Sequence, residues 1–443
     1  MTRTIWLIAK YVVPPRIANV GSRGFRLLEQ FARMGHTSVL ITSDSNHLAE
    51  IDPVPGAIRE TVEEGVRVYW LRTLKYRLAN SKRRMASWLD FERRVMTLPI
   101  RRMPKPDIVI ASSLSLLSVI GGAWIKRCTG AKLVVEIRDI WPLLLVEEGG
   151  WSPRNPLIRG LARVERFGYR QADIIVGTMP NLGAHVAKVL GEAKPTYCVP
   201  MGVEPSILED PAPLPDGYAD TYLPDGVFKV VYAGTVGVSN AMETFFACAE
   251  RMAGRTDVRF VVVGSGYLLD DYKARHAHLP NLHFAPRVDK GQVQSVLRRA
   301  DLLWFGVHPT PVLEYGQSLN KLTDYMLSGR PVVASYYGFP SMLNEAGSGS
   351  FVPANDPKAL ATEIDRYAAM NATERDAIGA RGRKWLLDHR RYDALARLYL
   401  DILDGRAAPS PQSGGEPGSG PTDHADGNMF GNTVSVAPDT PPG

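Results

Sequence analysis

Short apolar runs, each about the length of a β-strand, alternate with longer amphipathic stretches along most of this chain. Thr4–Ala9, His36–Thr42, Val66–Leu71, Ile108–Ala111, Lys132–Ile137, Ile174–Gly177 and Tyr197–Val199 are dense in apolar residues, as strands covered on both faces must be. A helix is expected to open after Gly21-Ser-Arg23, with Gly35 ending it. Strands alternating with helices predict a parallel, doubly wound sheet. The rhythm breaks at Asp210-Pro-Ala-Pro-Leu-Pro-Asp216 and then restarts. Phe228–Ala233, Val258–Val263, Leu282–Phe284, Leu302–Phe305 and Val332–Ala334 predict a second sheet of the same kind.

The 443 residues suit two domains. The expected division is 1–205, 206–385, a helix over 386–405 returning to the first domain, and a tail over 406–443. The tail is rich in Gly, Pro, Ser, Asp and Thr, too poor in apolar surface to offset chain entropy, and is expected to be disordered. Three scattered cysteines, never paired as CxxC, exclude a disulfide scaffold and a cysteine-based zinc site, and fit a reducing compartment. Met1-Thr-Arg-Thr runs directly into a strand with no cleavage site, so a cytoplasmic protein is expected. Ile108–Ile125 is uncharged over eighteen residues, close to a membrane span. Its serines and glycines divide it into a strand and a helix instead.

Charge is concentrated. Eleven basic residues between Arg72 and Lys105 face only Asp90 and Glu92, a local excess of +9 in a chain of net charge +6. Leu74, Trp88, Leu89, Phe91 and Met96 are interleaved with them. Arg83, Arg84, Arg93 and Arg94 could therefore rest on an anionic bilayer, or form a solvated face over the core. No nucleic-acid-binding motif accompanies them, and no nucleic acid is expected as a partner.

Three glycine- or cation-bearing segments could carry chemistry. Val230-Val-Tyr-Ala-Gly234-Thr-Val-Gly237 is a strand entering a turn whose amides could approach a phosphate. Val261-Val-Val-Gly264-Ser-Gly266 lacks the third small residue of a dinucleotide fingerprint and ends a second strand, so NAD is not expected. Ser318-Leu-Asn-Lys-Leu-Thr-Asp324 would put the amides of Ser318, Leu319 and Asn320 at a helix start, with Lys321 on its first turn. Asp324, one turn on, could accept two ribose hydroxyls. Standing alone, this segment reads sooner as an ordinary capped helix with solvated Lys and Asp. No G-x-S-x-G elbow or Walker A sequence is present, and His36 and His185 read as structural.

Together with Met34-Gly-His36, Val135-Glu-Ile-Arg-Asp-Ile-Trp-Pro142, Pro200-Met-Gly-Val203 and Asp356-Pro-Lys-Ala-Leu360, these segments resemble the retaining, metal-independent family-4 glycosyltransferases. They look most like the branch that assembles bacterial O-antigen, capsule or exopolysaccharide repeat units, over about residues 1–405. The resemblance implies a GT-B fold, two Rossmann-like domains facing each other across a cleft. It places a nucleotide-sugar donor, UDP-sugar favoured, against Gly21, Gly234, Gly237, Gly264, Arg287, Ser318–Asn320 and Asp324, with Arg287 stacked on the base. Asp139 and Lys321 would be the catalytic pair, and Arg138 would lie with the basic segment on the acceptor side. The implied acceptor is a polyprenyl-diphosphate-linked saccharide at the cytoplasmic face of the inner membrane. No cofactor and no metal are expected, for no Asp-x-Asp pair occurs.

Two departures stand out. Gly316 occupies the place of a Glu that contacts the donor sugar in the wider family. The loop Val238-Ser-Asn240 also lacks the basic residue many relatives have there. A soluble acceptor, or a non-catalytic sugar-nucleotide-binding module, therefore stands as the alternative.

Overall fold

The computed structural model describes residues 2–17, 23–47, 49–76, 81–113, 115–205, 208, 210–339 and 342–410. Two sheets organise them. The first contains β1 (Thr4–Ile8), β2 (Thr37–Ser43), β3 (Ile58–Glu63), β4 (Val66–Leu71), β5 (Ile108–Ser112), β6 (Lys132–Ile137), β7 (Ile174–Gly177) and β8 (Thr196–Cys198), in the order β3-β4-β2-β1-β5-β6-β7-β8. The second contains β9 (Phe228–Thr235), β10 (Val258–Ser265), β11 (Leu282–Ala285), β12 (Leu302–Gly306), β13 (Val332–Ser335) and β14 (Gly349–Val352), in the order β11-β10-β9-β12-β13-β14. The β3–β4 pair is antiparallel; the other strand pairs are parallel.

Each sheet separates two apolar cores, which is why its strands read as continuous hydrophobic runs. Within β1, Ile5 and Leu7 pack with Phe25 and Phe31, whereas Trp6 and Ile8 pack on the other face with Phe91 and Val119. Val231 and its neighbours Val230 and Tyr232 divide between the two cores of the second sheet in the same way.

The helices that bear on the cleft and its surroundings are α1 (Arg23–Arg33), α2 (Lys82–Met96), α3 (Ser118–Thr129), α4 (Pro156–Gln171), α5 (Asn320–Leu327), α6 (Ala372–His389) and α7 (Tyr392–Leu403). After α6 the chain leaves the second sheet, and α7 packs against α1 of the first, with the Tyr399 ring edge-on to Phe31 at 5.8 Å. The carboxyl ends of both sheets meet at one cleft. There Asn181 N donates to Tyr315 O (3.1 Å) and Met201 N to Ser318 Oγ (2.9 Å).

Sequence patterning misses β3 and β14. β3 is an edge hairpin strand, Ile58-Arg-Glu-Thr-Val-Glu, whose charges mask its alternation, and β14 is a four-residue edge strand. The uncharged stretch 108–125 divides into β5 and α3, and among the described residues no helix is long and apolar enough to cross a membrane. The first residues of the expected disordered tail are ordered. Arg406 bonds Asp401, and Ser410 N donates to Thr196 O at 2.8 Å. The remainder of the tail, 411–443, lies outside the described residues.

Candidate active site

Two cavities adjoin at the cleft. The inner one, about 550 Å³, is lined by Ala233, Gly234, Val263, Gly264, Arg287, Lys290, Asp324 and Tyr325. The outer one, about 800 Å³, lies between the sheets and is lined by Arg138, Asp139, Glu147, Glu148 and Thr178 from the first, and by Gly237, Asn240, Tyr267, His308 and the 316–321 turn from the second. Lys321 and Thr235 line both.

Glycine makes the inner cavity possible. β9 and β10 end so close together that a Cβ on Gly264 would lie 1.9 Å from Gly234 O, and one on Gly266 the same distance from Val236 O. The Gly264–Gly266 pair therefore serves close strand packing beside the cavity, which explains the incomplete dinucleotide fingerprint. Tyr325 ties α5 to the end of β9, accepting from Ala233 N (2.8 Å) and donating to Ala233 O (3.0 Å). That bond sets Lys321 and Asp324, on the same helix, against the Gly234 turn.

Lys321 Nζ donates to Tyr232 OH (2.9 Å) and to Asn240 Oδ1 (2.7 Å), and lies 4.3 Å from the centroid of the Tyr232 ring. Its bonded partners are neutral, so burial dominates and lowers the ammonium pKa from 10.5 to about 7. Burial raises the Asp324 carboxyl to about 6, with Lys290 opposing. No side chain caps α5, whose first residues line the outer cavity with Lys321. A half-buried cation beside the start of a helix that no side chain caps is a site for an anion.

Asp139 sits in a loop after β6, open to the cleft yet crowded by protein; burial raises its carboxyl pKa and Arg138 opposes. Glu148 is also shifted upward, by burial and then by Asp139.

This arrangement offers a nucleoside-sized pocket, a phosphate-sized cationic junction and a larger chamber bearing carboxylates. The profile described as "Glycosyl transferase 4-like domain" matches residues 21–202, and that described as "Glycosyl transferases group 1" matches 227–369. The chain is a glycosyltransferase with the GT-B fold. Solved structures agree on the fold. Sucrose-phosphate synthase from Thermosynechococcus elongatus superposes with a TM-score of 0.66 at 18% identity, covering 91% of this chain and 100% of that one. The E. coli trehalose-6-phosphate structure bound with UDP-2-fluoro glucose gives 0.68 at 13%, covering 92% and 100%. Anabaena HepE in complex with UDP and glucose gives 0.60 at 12%, covering 91% and 100%. No curated protein matches the chain in sequence.

In this glycosyltransferase most of the expected donor and catalytic residues, and Arg138 from the acceptor side, line the two adjoining cavities. Gly234, Gly264, Arg287, Lys321 and Asp324 line the inner cavity, and Gly237, Ser318, Leu319, Asn320, Arg138 and Asp139 line the outer one. Gly21 lies outside the described residues. Arg83, Arg84, Arg93 and Arg94 lie on α2 and line neither cavity. Arg84 Nε donates to Tyr11 OH (3.2 Å) and its guanidinium lies against the Trp88 ring, while Arg93 and Arg94 pair with Asp90.

Sequence reasoning missed Tyr232 and Asn240, the groups that hold Lys321, and Lys290, the cation facing Asp324. Glu147 and Glu148 also line the outer cavity. Asn240 had a signal: it stands in the loop where a basic residue was expected and absent.

Proposed function

We propose that the enzyme transfers a sugar, with retention and without a metal, from a nucleotide-sugar to a saccharide acceptor, with UDP-sugar the favoured donor. The observation that carries this is Lys321, which lies where the nucleoside pocket opens into the sugar-sized chamber. Asp324 would hold the ribose, Arg287 the base edge of the pocket, and Lys321 with the first amides of α5 the diphosphate. As the C1–O bond breaks, its electron pair moves onto the diphosphate, and Lys321 and the amides offset that charge. The acceptor hydroxyl attacks on the same face, and its proton passes to the departing phosphate oxygen. Asp139 then orients the acceptor or offsets positive charge developing at C1.

A soluble saccharide acceptor is favoured. Two of the structural neighbours are named for making sucrose-phosphate or trehalose-6-phosphate, both water-soluble products. The second reading, a polyprenyl-diphosphate-linked acceptor at an anionic membrane, rests on one surface. Exposed Met96, Trp124 and Phe167 surround a groove edged by Lys126, Arg127 and Lys132. Along α4, Arg159, Arg163, Arg166 and Arg170 are exposed, while its one acid, Glu165, is buried.

Incubating purified enzyme with UDP-sugars and EDTA, offered either free sugar phosphates or a membrane lipid extract, tests both. Transfer to the soluble acceptors with the donor's anomeric configuration kept is the expected result. Transfer only to lipid selects the second reading. Binding of UDP-sugar without turnover on either acceptor favours a non-catalytic binding module.

A further inference from the structure

The outer cavity holds a second cation, Arg138, that forms no ion pair among the described residues. Arg138 follows β6, and its backbone is pinned on both sides: its N–H donates to Ser113 Oγ (3.0 Å), and its carbonyl accepts from Thr178 Oγ1 (3.2 Å). Glu136 and Asp139 act on its charge from nearby, and the carboxylate of Glu136 is already paired. Glu136 pairs with Arg23 at 2.8 Å, and Arg23 also donates to the carbonyls of Val199 and Pro200, so that ion pair is complete without Arg138. Among the described residues, the one hydrogen bond the Arg138 guanidinium makes is a long one, Nη2 to Met201 Sδ at 3.5 Å, and a thioether is a weak acceptor. Among the described residues, its buried Nε has no hydrogen-bond partner. Burial, and then the neighbouring Arg23, push its pKa down, although a guanidinium stays charged in any accessible range.

The position is as telling as the missing partner. Met201, which Arg138 touches, donates its backbone N–H to Ser318 Oγ at 2.9 Å, and Ser318 begins the turn that ends in Lys321. Arg138 and Lys321 line the same cavity from opposite sheets. On the second sheet, the loop after Gly237 carries no cation; its Asn240 holds Lys321 in place instead. A departing nucleoside diphosphate bears more negative charge than one ammonium offsets.

Resting on the donor-site reading, we propose that Arg138 reaches across the cleft to the donor's diphosphate and is the second cation that stabilises it as it leaves. The bond that breaks joins the sugar C1 to a β-phosphate oxygen; its electron pair stays on that oxygen, where Arg138 and Lys321 meet it. The new bond joins C1 to the acceptor oxygen, whose proton ends on the same phosphate. Catalysis then needs groups from both sheets, and the site is complete only where they meet.

Calorimetric titration of wild type, Arg138→Met and Arg138→Lys with UDP and with uridine tests this, alongside melting curves and steady-state kinetics. Arg138→Met is expected to weaken UDP about tenfold or more while uridine binding holds, and to lower kcat by about 10²–10³. Arg138→Lys should recover part of both. Unchanged UDP affinity with a raised acceptor KM would overturn the proposal and assign Arg138 to the acceptor. Equal loss of UDP and uridine with a lowered melting temperature would make it structural. If wild type binds none of UDP, GDP, dTDP or ADP, the donor-site reading fails first and this inference with it. Wild-type binding with an unaltered Arg138→Met fails this inference alone.

Discussion

Lys321 Nζ lies 2.7 Å from Asn240 Oδ1, so a half-buried ammonium at the junction of two cavities is held by a neutral amide and not by a carboxylate. An acid at residue 240 would pair with the lysine and stabilise the empty protein, but it would also repel a diphosphate. Asparagine fixes the ammonium in place and leaves its charge for the ligand.

Removing that charge should therefore help the fold and harm binding. Between pH 7 and pH 10.5 the unfolded chain holds a proton on Lys321 that the native chain has lost, so the native state gains stability as pH rises through that window. Lys321→Met is expected to stabilise the ligand-free protein by roughly 1–3 kcal/mol near neutral pH. It should also abolish the UDP-induced shift. Melting curves with and without UDP check both halves; a variant that melts lower and still responds to UDP contradicts them.

Nucleotide affinity should depend on pH with a maximum. Asp324 is ionised above about 6, and Lys321 is protonated below about 7. Both charges coexist in the free enzyme mainly between those values, so UDP binding is expected to peak there. It falls in acid as the carboxyl protonates, and in alkali as the ammonium is lost. Titrations across this range should lose the alkaline limb in Lys321→Arg, since a guanidinium does not deprotonate.

The end of β10 should tolerate no side chain. Gly264→Ala would press a methyl group against Gly234 O, where an added Cβ lies at 1.9 Å. The expected cost is about 2–4 kcal/mol together with loss of nucleotide binding, because relief must come from moving the strand end that lines the inner cavity. A fully active, equally stable variant would mean that the two strand ends part easily.

Membrane association has its own test. If the basic face serves it, Arg163→Glu with Arg166→Glu and Trp124→Ser should reduce co-sedimentation with phosphatidylglycerol vesicles at physiological salt. Arg83→Glu, Arg84→Glu, Arg93→Glu and Arg94→Glu together make a second set on α2, of which Arg93 and Arg94 already pair with Asp90. Wild-type protein that stays in the supernatant removes the membrane reading.

Much of the architecture was legible because burial on both faces writes a strand as an uninterrupted apolar run, as in Ile5–Ala9 and Val230–Ala233. Strands at an edge escape that rule. β3 carries Arg59, Glu60 and Glu63 because it lies at the end of its sheet, and β14 offers only Phe351 and Val352 as apolar residues. At the site, Lys321 and Asp324 were legible because one helical turn brings them to one side of α5. Tyr232, Asn240 and Lys290 were not, since they approach from separate segments and carry no spacing relative to Lys321.

The most direct test of the donor site is a thermal-shift screen of wild type and Asp324→Ala against UDP, GDP, dTDP and ADP, each with and without EDTA. At 100 times its Kd, a ligand that binds only the native state adds about 2.7 kcal/mol. The expected result is stabilisation by one nucleotide, UDP foremost, unaffected by EDTA and lost in Asp324→Ala. No shift with any nucleotide in the folded wild type, or an equal shift in Asp324→Ala, would contradict the assignment of the inner cavity to the donor.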